Sequence, residues 1–162
     1  MKKRLMCLSA LFLLQPLSAS ADTLIHAGKL FTATSDSLQS NMTIVIDGNK
    51  IVDIKKGFAK GGADDTVIDL KNKTVIPGLM DMHVHLSSQQ SGTSSYLKRF
   101  TLNEADYALA AAHYANKTLM AGFTTVRNLG DSYNETVSLR NAINQGMATG
   151  PRIYTAAKSL AT

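Results

Sequence analysis

An α/β protein is predicted, with a small all-β module ahead of the opening repeats of a parallel, helix-wrapped sheet. Three observations predict it. Up to Ile76, β-branched runs are punctuated by turn residues. At Pro77-Gly78 the period changes, and from Leu79 the order is strand, helix, strand, helix, strand, the pattern of a parallel sheet with crossover helices. The helix-like stretches begin at polar capping residues and end at glycine.

Residues 1–21 read as a signal peptide. Lys2, Lys3 and Arg4 make a basic start, Leu5 to Leu14 is an apolar run, Pro16 breaks it, and Ala19-Ser20-Ala21 has the small-x-small form of a cleavage site. Cleavage after Ala21 and secretion, most simply to a bacterial periplasm, are expected. The run is too short for a stable membrane anchor. Cys7 is the one cysteine, so no intramolecular disulfide can form. The formal charge of +5 includes the three cations of this segment, leaving +2 for the remainder. Beyond short pairs such as Lys55-Lys56 there is no basic cluster, and no nucleic-acid partner is expected. A hydrophobic fraction of 44% is enough to supply a core.

Residues 22–76 form the β module. Thr23 to Thr32 mixes apolar and polar β-formers. Asn41 to Ile46 and Ile51 to Ile54 flank Asp47-Gly48-Asn49-Lys50, a strong hairpin signal. Gly57 to Asp65 reads as a loop. Thr66 to Leu70, a turn at Lys71-Asn72-Lys73, and Thr74 to Ile76 predict a second hairpin.

Residues 77–162 carry the alternating pattern. Leu79 to Leu86 reads as a buried strand and Ser87 to Tyr96 as a surface loop. Thr101-Leu102-Asn103-Glu104 has the form of a capping box. It opens a helix expected from about Leu102 to Met120, with Ala105, Leu109, Ala112 and Leu119 on one face and Gly122 as a stop. Phe123 to Asn128 is the next strand. Asp131 or Ser132 caps a second helix reaching about Gln145 and closed by Gly146, and Arg152 to Ala157 is a third strand.

The chemistry centres on His83 and His85. Residues i and i+2 of a strand share a face, so both imidazoles can reach one metal ion, zinc or a similar divalent cation. A chance pair is the competing reading. Asp81 lies two residues earlier and is expected on the same face, as a buried carboxylate supporting the histidines rather than a ligand. Arg127 ends the second strand; its planar fork suits a substrate carboxylate, and a structural ion pair is the alternative. His26 and His113 are read as packing or surface residues. Lys158 is placed on the third strand and given no role.

The segment Pro77-Gly78-Leu79-Met80-Asp81-Met82-His83-Val84-His85 resembles the first barrel strand of the amidohydrolase superfamily of metal-dependent hydrolases. Gly122 to Asp131 resembles the second-strand segment of its imidazolonepropionase-like and Xaa-Pro dipeptidase (prolidase)-like branch, with Asn128 where Asp is common. Gly150 to Tyr154 resembles the entry to the third strand. The resemblance implies the N-terminal part of a (β/α)8 TIM barrel, incomplete in this chain because a closed barrel takes about 250 residues, preceded by a small β-sandwich-like module. It implies hydrolysis of a C–N bond by metal-activated water, one or two divalent ions (zinc above all), and a small-molecule or dipeptide substrate such as Xaa-Pro. The alternatives are another cyclic amidase or deaminase of the superfamily, or an inactive truncated fragment. The remaining ligands and the general base come, in the superfamily, from later strands, so the catalytic residues are expected beyond Thr162. Oligomeric state has no signature in the chain.

Overall fold

The computed structural model describes residues 21–89, 97–98 and 100–160. These fall into two compact units that divide between Ile76 and Pro77. The expected signal peptide, except Ala21, and Gln90 to Tyr96 of the expected surface loop lie outside the described residues.

The first unit holds strands β1 (Thr23–Leu30), β2 (Gln39–Asp47), β3 (Lys50–Lys56) and β4 (Thr66–Val75). They form one sheet in the order β3-β2-β1-β4. β2 and β3 make the hairpin expected at Asp47-Gly48, with Asp47 opposite Lys50. Gly48 takes φ 56°, the left-handed conformation that such a turn requires. The second expected hairpin does not exist. Thr66–Val75 is one continuous strand parallel to β1. The polar Lys71-Asn72-Lys73 stretch is instead a bulge: the register steps from Ala27↔Leu70 to Lys29↔Thr74. Gly28 sits opposite it, and a Cβ there would lie 1.9 Å from the Lys71 carbonyl oxygen.

Ala27, Leu30, Met42 and Ile44 form the core of this unit, with Ile25, Ile46 and Val75 packed against it. The cross-strand pair His26 and Thr43 is also buried. The Thr43 hydroxyl donates to the Gly57 carbonyl at 2.7 Å and accepts from the Ala59 amide at 2.9 Å, and His26 Nε2 donates to the Ala59 carbonyl at 2.9 Å. These bonds bind the Gly57–Ala59 segment to the sheet and give His26 the packing role expected of it. Asp65 accepts the amides of Gly62 and Asp22. Those bonds, the Gly62 one first, hold its carboxyl below the usual range. Their stabilisation is therefore present above the unfolded-state pKa and is lost as pH falls through the folded-state value.

The second unit runs β5 (Leu79–Val84), α1 (Glu104–Met120), β6 (Phe123–Asn128), α2 (Glu135–Asn144) and β7 (Arg152–Thr155). The strands are parallel in the order β5-β6-β7. Leu86, Ala111, Ala115, Val126, Leu139 and Ile153 form its core. β5 is shorter and more exposed than the buried Leu79–Leu86 strand expected. It pairs with β6 alone among the described residues, and Met80 is 69% exposed.

α1 begins at Glu104, not Leu102, because Asn103 rather than Thr101 is the cap. Asn103 Oδ1 accepts the amides of Ala105 (2.9 Å) and Asp106 (3.2 Å), while Asp106 Oδ2 accepts the Asn103 amide at 2.9 Å. This reciprocal box satisfies amides that the helix leaves unpaired. Asn103→Ala should cost about 1 kcal/mol, read as a lower urea midpoint with unchanged slope. The buried face of α1 is also rotated from the expected one. Ala111 and Ala115 are buried and Ala112 packs against the same core as expected, whereas Ala105 is exposed and Leu109 is 72% exposed. α2 has Asn134 at its cap in the left-handed region, without a side-chain cap bond. Asp131 does the capping from three residues further back, accepting the amides of Asn134 (2.8 Å) and Thr136 (3.0 Å). At the other end Gly146, φ 73°, closes the helix, with the Met147 amide donating to the Ala142 carbonyl at 2.9 Å. β7 ends at Thr155. Its hydroxyl accepts the Ala157 amide and Ala157 takes φ 63°, so Lys158 lies past the strand, in a bridge with Asp131.

Candidate metal centre

His83 is the penultimate residue of β5 and His85 follows its end. Both are exposed, and their ring centroids lie 5.6 Å apart at an interplanar angle of 65°. Two imidazoles sharing one tetrahedral ion, with metal–nitrogen bonds of about 2.0–2.1 Å, hold their centroids about 5 Å apart. The spacing therefore suits two nitrogen ligands on one ion. Among the described residues no group of three His, Cys, Asp or Glu is placed to hold a metal.

The backbone around the histidines is held by side chains as well as by the ladder. The register shifts between Asp81 and Val84, because Asp81 aligns with Val126 and Val84 with Asn128. The shift breaks the strict alternation from which Asp81 was expected to share the face of His83. Asp81 instead lines, with Val84, a cleft against Lys117, Thr118 and Ala121 of the α1 end. It is half-buried rather than buried, and its Oδ1 accepts the His83 amide at 2.9 Å. Arg127 Nε donates to the Met82 carbonyl at 2.8 Å. Neither expected role, carboxylate binding or ion pair, describes that bond: Arg127 steadies the peptide just before His83. Asp81→Ala should therefore lower metal content less than His83→Ala, because it removes a backbone anchor and leaves both imidazoles. Equal losses by elemental analysis would reject this ranking.

His85 Nδ1 lies 3.4 Å from the Gly130 carbonyl oxygen. A carbonyl only accepts, so this contact is a hydrogen bond when Nδ1 carries the proton; the neutral tautomer of that kind leaves Nε2 to a metal. His85 also lines a polar cleft with Ser87, Ser88, Gly130, Asp131, Ser132 and Ser159, past the carboxyl ends of the strands. Binding sites of parallel sheets lie at such ends. Beneath the cleft, Asn128, Asp131 and Thr136 are buried, and Thr136 is bonded to each of the other two. Sequence reasoning weighed Asn128 only as a missing acid and Asp131 only as a cap. The sequence signal for their joint role is the tight Asn-Leu-Gly-Asp run that leaves β6.

His113 is exposed and rests edge-on against Tyr114. Among the described residues, no helix is long and apolar enough to cross a membrane.

The Amidohydrolase family model matches residues 74–162. The structure resembles that of a Xaa-Pro dipeptidase with bound methionine in its active site, at TM-score 0.80 and 48% identity, covering 87% of this chain and 34% of that one. It also resembles a putative prolidase from Bifidobacterium longum, at TM-score 0.70 and 28% identity, covering 88% of this chain and 31% of that one. A 5-methylthioadenosine/S-adenosylhomocysteine deaminase of Bacillus cereus (strain B4264) is 34% identical over 65 residues, 40% of this chain and 15% of that protein. The chain thus spans about a third of the length of these solved structures and less than a fifth of the length of the curated relatives it matches.

Proposed function

The chain belongs to the Amidohydrolase family, and on that premise we propose that the complete protein is a divalent-metal hydrolase that cleaves a carbon–nitrogen bond, with Xaa-Pro dipeptides as its substrates. The dipeptide reading is carried by the likeness to the Xaa-Pro dipeptidase, the strongest of the three in identity and the higher of the two structures in TM-score. The deaminase match favours a second reading, release of ammonia from a purine nucleoside. Assays of the full-length protein for proline release from Xaa-Pro dipeptides and for ammonia release from 5-methylthioadenosine separate them. Turnover of the nucleoside alone would overturn the dipeptidase reading.

His83 and His85 are the proposed ligands of one ion, zinc in our reading, in a mono- or binuclear site. A bound divalent ion supplies Lewis acidity, lowering the pKa of water and polarising the scissile carbonyl. The described residues prepare the ligands: Asp81 holds the His83 amide, and the Gly130 carbonyl holds the Nδ1 proton of His85. Arg127 uses Nε on Met82, and its remaining guanidinium nitrogens are proposed to meet the substrate carboxylate. The β5-β6-β7 sheet is proposed as the start of a closed eight-stranded barrel, and the β1–β4 sheet as one layer of a sandwich. Residues 22–162 alone are expected to bind metal weakly and to lack turnover, since a catalytic zinc takes three protein ligands.

We also propose that residues 1–21 direct export and are removed. Removal would leave Asp22 as the new amino terminus. Its nitrogen already sits 2.9 Å from Asp65 Oδ1, so a terminal ammonium would gain a carboxylate partner. Intact mass of the secreted protein tests this, and a protein that keeps Met1 would contradict it.

A further inference from the structure

Asn128 is fully buried at the end of β6, and its side-chain amide makes three bonds. Oδ1 accepts the Leu86 amide at 2.9 Å. Nδ2 donates to the Gly130 carbonyl at 3.1 Å and to the Thr136 hydroxyl at 3.3 Å. The first two partners fix the amide's orientation, because a backbone N–H only donates and a carbonyl only accepts. Both lead to His85. Leu86 is the next residue in the chain, and the Gly130 carbonyl is the acceptor of the His85 Nδ1 proton.

We propose that Asn128 is the positioning residue of the metal centre: one buried amide sets both the backbone that carries His85 and the carbonyl that selects its tautomer. The proposal rests on the reading of His83 and His85 as metal ligands. An ionised Asp at this position could accept from Leu86, but its second oxygen would face the Gly130 oxygen with nothing to donate. Thr136 strengthens the arrangement, since its hydroxyl is bonded to Asp131 and, at 2.7 Å, to Thr155. That leaves it the acceptor that Nδ2 needs. The side chains leaving β6 and entering α2 are thereby tied to β7 beneath His85. Groups that orient a metal-ligating histidine typically change metal affinity about 10–100-fold when removed.

The test measures zinc affinity of the full-length protein by competition with a chromophoric chelator. Asn128→Asp and Asn128→Ala are expected to bind about 10–100-fold more weakly, and His85→Ala more weakly still. If both Asn128 variants keep the unmodified affinity while His85→Ala loses it, the inference falls and the metal reading stands. If zinc does not bind, or His85→Ala binds as well as the unmodified protein, both fall. A second measurement reads the tautomer directly, beginning with the unmodified protein. Long-range proton–nitrogen NMR of the metal-free, 15N-histidine-labelled protein should show His85, identified by its loss in His85→Ala, as a single Nδ1–H tautomer. Asn128→Asp should remove that single-tautomer signature, which a merely structural Asn128 would leave unmoved. An Nε2–H tautomer in the unmodified protein would overturn the proposal.

Discussion

His83→Ala and His85→Ala are each expected to weaken zinc binding by about 10²–10³-fold and to remove hydrolysis in step with the metal. Zinc sites with four protein ligands gain about 10–16 kcal/mol, roughly 2.5–4 kcal/mol per ligand, and each 1.4 kcal/mol is tenfold. Both histidines are exposed, so truncation opens no core cavity, and the substitutions should barely change stability. The bonds from Asp81 to the His83 amide and from Arg127 to the Met82 carbonyl involve no imidazole atom, so the local backbone should survive. The expected signature is therefore a lost rate and lost zinc, with an unchanged melting temperature in the presence of a chelator. A variant that keeps both zinc and rate would remove that histidine from the site.

The largest effect on folding is expected at Gly28. A Cβ there would sit 1.9 Å from the Lys71 carbonyl oxygen, 2.7 Å from its carbon and 3.2 Å from the Lys73 oxygen. All three are backbone atoms of the bulge that joins β4 to β1, so no side chain can swing aside. Relief requires the two strands to part next to Ala27, which is fully buried in the core of the unit. Gly28→Ala should cost at least the 1–3 kcal/mol usual for overpacking, about 2–12 °C in Tm. Gly48→Asn is the control: nothing lies within 4 Å of a Cβ at Gly48, and Asn tolerates its left-handed backbone. Equal Tm values for the two variants would show that the close approach at Gly28 is wrong.

The parts of the fold that could be read from the chain are those in which neighbours in sequence decide the outcome. Asp47-Gly48 turns a hairpin through its own backbone preference, Gly146 ends α2 through its own positive φ, and β6 follows from Phe123 to Asn128. Two of the misreadings share one cause, which is that the deciding partner is distant in sequence. Lys71-Asn72-Lys73 has the composition of a turn, yet it bulges out of one strand because β1 pairs along its whole length. Asp81 and His83 have the spacing of a shared face, yet the register shifts beyond Asp81, which lines the cleft against the α1 end and bonds the His83 amide. The His83–His85 pair was visible because the spacing of the two ligands is local. The residues beneath it were not, since Leu86, Gly130 and Thr136 meet at Asn128 only once β5, β6 and α2 have packed.

A crystal of the full-length protein grown with zinc, with anomalous difference maps recorded on both sides of the zinc absorption edge, tests the central claim most directly. The expected result is a peak about 2.0–2.1 Å from one nitrogen of His83 and one of His85, with the Gly130 carbonyl on the other side of the His85 ring. Zinc bound elsewhere, or held by only one of the two histidines, would contradict it.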